Sequence, residues 1–302
     1  MNGPETLEFR SGFVALAGYT NVGKSTLLNR LVGQKIAIVS RKPQTTRNQI
    51  TGIRTDPDGQ IVFIDAPGFH KPRDELNRMM VRTAMEALHG ADLICGLTTL
   101  ELYGTTPMSH FLAELRKAPA PKILVINKID LHERLALLPV LQEFARLDMF
   151  REVIPISART GENVPRLLEI IKGLLTPGPR YFEDDQVTDK SEKFLAGELI
   201  REVIMDRVHK EVPYCTLIDI EQFQEPESGR ILEIHAVVFV EKDSQKGILI
   251  GKGGAKLKEI GIAARREMER VFGQPLVLKL WVKVRERWRS DSRWLETMGL
   301  DS

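Results

Sequence analysis

Cysteine is nearly absent from this 302-residue chain, which holds only Cys95 and Cys215, far apart in sequence. Neither has a Cys or His neighbour at metal-ligand spacing. That excludes a disulfide framework and a zinc site, and it points to a reducing compartment. No apolar run approaches the roughly 18 residues that a membrane-spanning helix needs. The opening stretch "MNGPETLEFRSGFVALAG" carries acidic residues where a secretory leader has basic ones, so no leader is expected. Internal repeats and low-complexity tracts are missing too. Net charge is a mere +2, yet residues 246–293 hold 13 Lys/Arg against 5 Asp/Glu. A segment this basic is a candidate face for nucleic acid or anionic membrane, a solvated charged surface being the other reading.

With 42% hydrophobic and 28% charged residues the chain can bury a proper core, and its length suits two domains. From about residue 9 to 175, apolar strand-like runs (13–18, 60–68, 92–97, 122–128, 152–158) alternate with amphipathic segments (24–33, 74–89, 106–117, 132–146, 163–174). That alternation predicts a doubly wound α/β domain with its ligand at the carboxyl ends of the strands. At "LLTPGPRYFEDD" (174–185) the pattern stops in a linker-like stretch. A helix is then expected over 193–212, ended by Pro213, followed by strands at 216–223 and 230–242 joined by "QEPESG". A Gly-Lys-Gly-Gly loop, a helix at 255–272 and a strand at 276–284 complete a smaller α+β unit. The boundaries read as 9–176, a linker at 177–190, a second domain at 191–290 and a tail at 291–302.

"GYTNVGKS" fits G-x-x-x-x-G-K-[ST] between a strand and a helix. In such a loop backbone N–H groups wrap phosphates, Lys24 neutralises the β and γ charges and Ser25 offers its hydroxyl to magnesium. Gly18, Tyr19, Thr20, Asn21, Val22, Gly23, Lys24, Ser25 and Thr26 are therefore the phosphate-binding candidates. An isolated match would also fit an ordinary strand-to-helix turn, but three further motifs follow in order. "DAPG" offers Asp65 to reach magnesium through water and the Gly68 N–H to sense a γ-phosphate. "NKID" offers the Asp130 carboxylate to the paired donors of guanine, with Asn127 and Lys128 to hold and cover the base. Adenine has no such paired donors, so the motif selects GTP over ATP. "SAR", Ser157, Ala158 and Arg159, places the Ala158 N–H to meet the guanine carbonyl.

Between the P-loop and "DAPG", the polar stretch 39–52 suits a switch segment whose threonine binds magnesium only in the GTP state. Thr46 is the first choice, with Thr45 beside it. Phe69 follows Gly68 where a Ras-like protein has glutamine, so slow intrinsic hydrolysis is expected. His70 and Lys71 read as exposed switch residues rather than catalysts.

With these motifs placed, the sequence resembles the bacterial Era GTPases over nearly its whole length. The likeness runs through "TNVGKSTLLNRLVGQKIAIVSRKPQTTRNQITGI", "FIDAPGFHKP", "NKID", "SARTGENV", "EDDQVTDKSEKFLAGELIREVI" and "GILIGKGGAKLKEIG". The resemblance implies a Ras-like P-loop GTPase domain followed by a type II KH domain. It also implies binding of the small-subunit rRNA 3′ end, a part in 30S ribosomal subunit maturation, and a cytoplasmic monomer with peripheral association at the inner membrane. Asn21 matches the asparagine with which related GTPases hold potassium, capping of the loop being the other reading. Relatives also carry a hydrophobic residue at the Phe69 position. One departure is "CGLTTLELYGTTP" (95–107), where relatives usually have an acidic residue soon after the strand.

The second glycine-lysine loop lacks a Ser or Thr after its lysine and fails the P-loop spacing. Its G-x-x-G pattern matches the KH clamp, in which glycines let the backbone approach single-stranded nucleotides. Gly251 and Gly254 form the frame with Gly253 among the RNA-binding candidates between them, Lys252, Lys256 and Lys258 are expected on phosphates, and Ile248 and Ile250 offer apolar surface to bases. The leading expectation is a GTP-hydrolysing switch governing RNA binding. The alternative is an RNA chaperone or assembly factor in which GTP mainly orders the fold.

Overall fold

The computed structural model describes residues 8–70, 72, 74–224 and 231–300. Six strands of the first half form one sheet: β1 (Arg10–Gly18), β2 (Ile50–Asp56), β3 (Gly59–Asp65), β4 (Leu93–Thr99), β5 (Lys122–Asn127) and β6 (Glu152–Pro155). Their order is β2-β3-β1-β4-β5-β6, parallel throughout except that β2 runs antiparallel to β3. Alternation along each strand divides the apolar side chains between two layers. Val14 and Leu16 face α1 (Lys24–Val32) and α5 (Val164–Leu174). Ala15 and Ala17 face α2 (Glu75–His89), α3 (Thr106–Lys117) and α4 (Arg134–Ala145). With both faces covered, ligands have access at the carboxyl ends of the strands, where the glycine-lysine loop, Asp65 and Asn127 all emerge.

β2 corrects the expectation of a loop reaching residue 52. Ile50 and Ile53 are buried, and the two residues after Asp56 turn the chain directly into β3, pairing Asp56 with Gly59. The Pro- and Gly-rich stretch after α5 is stitched to the sheet despite its linker composition. Ser11 Oγ donates to the Pro179 carbonyl, the buried Gln60 side chain bonds the backbone of Tyr181 and Phe182, and the Val187 carbonyl accepts from Ile53 N–H.

The second unit comprises α6 (Glu192–Arg207), β7 (Leu217–Gln224), β8 (Leu232–Val240), α7 (Asp243–Ile250), α8 (Ala255–Phe272) and β9 (Leu276–Val284). Its sheet runs β7-β8-β9. β7 and β8 are antiparallel, while β8 and β9 are parallel, which requires the α7–α8 crossover between them. The expected connection "QEPESG" lies, but for Gln224, outside the described residues. α6 stops at Arg207, short of the expected 212, because Val208 is extended and Lys42 Nζ from the first unit takes the Met205 and Val208 carbonyls.

The tail packs rather than trails. Trp288 is fully buried with its indole N–H on the Cys215 carbonyl, and Leu295 of α9 (Ser292–Thr297) joins it against Leu76, Met79 and Met80 of α2. The chain's last described turns thus cement the two units through one apolar cluster.

Candidate functional site

A cavity of about 920 Å³ opens at the carboxyl ends of β1 and β5. Thr20, Asn21, Gly23, Lys24, Ser25 and Thr26 line one end of it. Gly18, Tyr19 and Val22 do not: the Tyr19 ring packs on Phe69 and Phe111, and Val22 is buried. Those three serve as frame, their backbone fixing the loop. Lys24 is buried with its ammonium on the Gly18 and Tyr19 carbonyls at 3.2 and 3.1 Å. Burial pushes its pKa down, against the pull of the nearby Asp65 carboxylate. A cation held in so dry a place is poised for an anionic partner.

Ser25 Oγ donates to Asp65 Oδ2 at 2.6 Å and lies 2.8 Å from the Thr46 hydroxyl. Thr45 turns away and donates to the Lys42 carbonyl. Asp65 is completely buried, its pKa raised by that burial, and its Oδ1 has no hydrogen-bond partner among the described residues. An orphaned buried carboxylate oxygen beside two hydroxyls is a donor set made for a hard divalent cation, which fits magnesium. Gly68 completes this end because no side chain fits there: a Cβ would stand 2.7 Å from the Thr20 backbone nitrogen.

At the other end Asp130 is held by two partners. Ser157 Oγ donates to Oδ1 at 2.6 Å, and the Arg159 guanidinium sits 2.6 Å from Oδ2. The Ser157 bond first, and then the Arg159 charge, keep its carboxyl below the usual range despite partial burial. Arg159 is mostly exposed and free to swing aside for the paired donors of a guanine. Asn127 acts as a strut: its amide donates to the Val22 carbonyl and its Oδ1 accepts the Ala158 N–H. The Ala158 N–H, the group expected to meet the guanine carbonyl, lines this end and donates here to Asn127 Oδ1. Lys128 lines the wall in the left-handed conformation. Sequence reading missed Arg30 of α1, which buttresses this end through the Ala158 and Arg159 carbonyls.

Phe69 is buried against Tyr19 and Phe111, so the position after Gly68 anchors the loop to the core instead of facing solvent. His70, expected to be exposed, is half-buried and bridges the Gly68 carbonyl and Asn77 Oδ1, each at 2.7 Å. Lys71 lies outside the described residues.

The polar stretch after α1 is bound to the second unit along its length. Val39 N–H donates to Glu202, Ser40 to Asp206 and Lys42 to the end of α6, while the Thr45 carbonyl accepts from Arg201. Arg47, next to Thr46, is buried with its guanidinium on the Pro213, Tyr214 and Thr216 carbonyls and over the Trp288 ring. Sequence reading missed these partners. The only signal was three basic residues in an otherwise neutral segment.

The second glycine-lysine loop is built differently. Gly251, Gly253 and Gly254 all have positive φ, and at Gly251 a Cβ would stand 2.7 Å from that of Lys256. Lys252 and Lys258 are exposed, Lys256 pairs with Glu259, Ile248 is half exposed and Ile250 packs partly into the core. The backbone that these glycines leave bare, at the start of the 18-residue α8, offers N–H groups and a helix dipole to an anion.

Fold and site together define a P-loop GTPase carrying a KH-type module. Residues 13–128 match the model of the 50S ribosome-binding GTPase family, and residues 211–289 match that of the KH domain. GTPase Era of Geobacter metallireducens is 47% identical over 96% of this chain and 98% of its own, and that of Lacticaseibacillus paracasei is 44% identical over 98% of each. The chain therefore belongs to the GTPase Era family and is a GTPase. A crystal structure of Era in complex with MgGDPNP and nucleotides 1506–1542 of 16S ribosomal RNA superposes with a TM-score of 0.93 at 35% identity, over 97% of this chain and 100% of that one. An Aquifex aeolicus Era variant bound to GDP·AlF4− matches equally, at 34% identity over the same shares.

Proposed function

We propose that this chain is a GTP-driven switch that binds the 3′ region of small-subunit rRNA through its Gly-Lys-Gly-Gly loop and acts in 30S subunit biogenesis and rRNA maturation. Residues 9–176 form the GTPase module, 177–190 the connection, 191–290 the KH module and 291–302 the tail. Ser25, Thr46 and Asp65 would hold magnesium, which when bound would supply positive charge against the nucleotide's phosphates. Asn21, whose amide nitrogen donates to the Arg41 carbonyl, has its oxygen left for a potassium ion. The RNA assignment is supported by the relative whose complex holds nucleotides 1506–1542 of 16S rRNA.

One observation carries the switch reading. The segment that places Thr46 beside Ser25 is the segment gripped by α6 and the 213–216 turn. A γ-phosphate that draws Thr46 onto magnesium must act on the same backbone that Arg47 ties to the KH module. Nucleotide state and KH position then share one element, which is the physical requirement for coupling.

Affinity for an rRNA 3′-end oligonucleotide, measured with GDP and with a non-hydrolysable GTP analogue, tests this. The analogue should raise affinity roughly 10-fold, within the usual span of allosteric coupling. Arg47→Ala should collapse that difference while both affinities stay measurable. Equal affinities in the unaltered chain would favour the assembly-factor reading, in which GTP mainly orders the fold.

A further inference from the structure

The nucleotide cavity is not walled by the GTPase module alone. Asp206, in the last turn of α6, also lines it, accepting a 3.1 Å hydrogen bond from Ser40 Oγ. A nucleotide has three parts to be held. Lys24 and Ser25 stand at the phosphate end, and Asp130 with its neighbours stands at the base end. The ribose has to span the interval, along the wall that residues 38–42 and Asp206 provide.

Ribose hydroxyls are donors as well as acceptors, and a carboxylate is their strongest side-chain acceptor. Dinucleotide-binding folds use an acidic residue for this purpose. Among the described residues lining the cavity, two carry carboxylates: Asp130, committed to the base, and Asp206. Lys42, close by, donates to the Met205 and Val208 carbonyls and acts on the exposed Asp206 carboxylate through space, without a direct pair. Asp206 Oδ2 thus has no hydrogen-bond partner among the described residues.

We propose that Asp206 accepts a hydrogen bond from a ribose hydroxyl of the bound guanine nucleotide, so that the KH module completes the nucleotide site. The proposal rests on reading the cavity as the GTP site. It gives the docked module a direct contact with the ligand, made by the same carboxylate that helps to grip the switch segment through Ser40.

Calorimetric titration of the full chain with GDP and with 2′,3′-dideoxyGDP, both with magnesium, is the test. The unaltered protein should bind GDP roughly 10-fold more tightly, the value of one hydrogen bond to a charged group. Asp206→Ala should bring GDP down to the dideoxy level and leave dideoxyGDP unchanged. Ser40→Ala, which removes the internal bond but keeps the carboxylate, should preserve the discrimination. Equal binding of the two nucleotides by the unaltered chain, equal weakening of both by Asp206→Ala, or discrimination that survives Asp206→Ala would each overturn the ribose contact while the cavity assignment stands. Binding of neither nucleotide would overturn both.

Discussion

The two glycine-lysine loops of this molecule present their lysines in opposite ways. Lys24 is buried, held by two carbonyls and electrostatically coupled to a buried carboxylate, whereas Lys252 is exposed on a loop of three positive-φ glycines. A preorganised, dry site concentrates its selectivity in a few fully desolvated contacts, each expensive to lose. An open backbone clamp spreads modest contacts over several nucleotides, and each is cheap to remove. The contrast predicts large, ligand-specific effects in the cavity and small, salt-dependent ones at the clamp.

The largest effect should come from Asp130→Asn. The carboxylate that Ser157 and Arg159 brace would be replaced by an amide, which presents a nitrogen donor where guanine needs an acceptor. Sites built around a buried hydrogen bond reject the mismatched ligand by about 10⁴-fold. GTP affinity should fall on that scale, xanthosine triphosphate should be gained, and RNA affinity measured without nucleotide should not move. Unchanged GTP affinity would remove Asp130 from base recognition and with it the sharper half of the contrast.

Next in size is Gly253→Asp. Gly253 has φ 58°, and nothing lies within 4 Å of the point where a Cβ would stand, so the loop itself leaves room for a side chain. The added carboxylate would instead meet RNA phosphates, at a cost of about 2 kcal/mol or roughly 30-fold in affinity. Gly253→Asn, which tolerates the left-handed conformation without the charge, should retain most binding. Oligonucleotide titrations showing equal loss in both variants would mean that backbone shape, not phosphate repulsion, governs the clamp.

How much of this was legible beforehand follows the same division. The parallel strands could be read from continuous apolar runs, and Lys24, Ser25, Asp65 and Asp130 from spacings that the chemistry dictates. β2 was not, because "ITGIRTD" pairs at the sheet edge with a short, broken apolar pattern. Nor were Arg47, Lys42 and Asp206. Two of them bond backbone carbonyls, which carry no residue identity, and all three have partners on the far module or the ligand. The hold on the 177–190 stretch was not legible either: Pro177, Gly178 and Pro179 suit a linker, and Gln60 and Ser11 bond its backbone. Side chain to side chain chemistry at fixed spacing is written in sequence; docking onto distant main chain is not.

The smallest effect should be that of Lys252→Ala, and it separates the two loops most finely. If Lys252 meets one phosphate among several, its removal should cost roughly 5-fold in affinity at moderate salt, where a buried counterpart such as Lys24 would cost far more. The slope of log affinity against log salt should shrink by about 0.7, one single-strand phosphate contact. Anisotropy titrations of the rRNA 3′-end oligonucleotide from low to moderate salt would measure both quantities, and GTP affinity, read in parallel, should be unaltered because the loop lines no part of the cavity. A loss of several hundredfold with an unchanged slope would mean that Lys252 holds the loop or reads a base. In that case the clamp, like the cavity, would depend on a single preorganised lysine, and the contrast between the loops would fail.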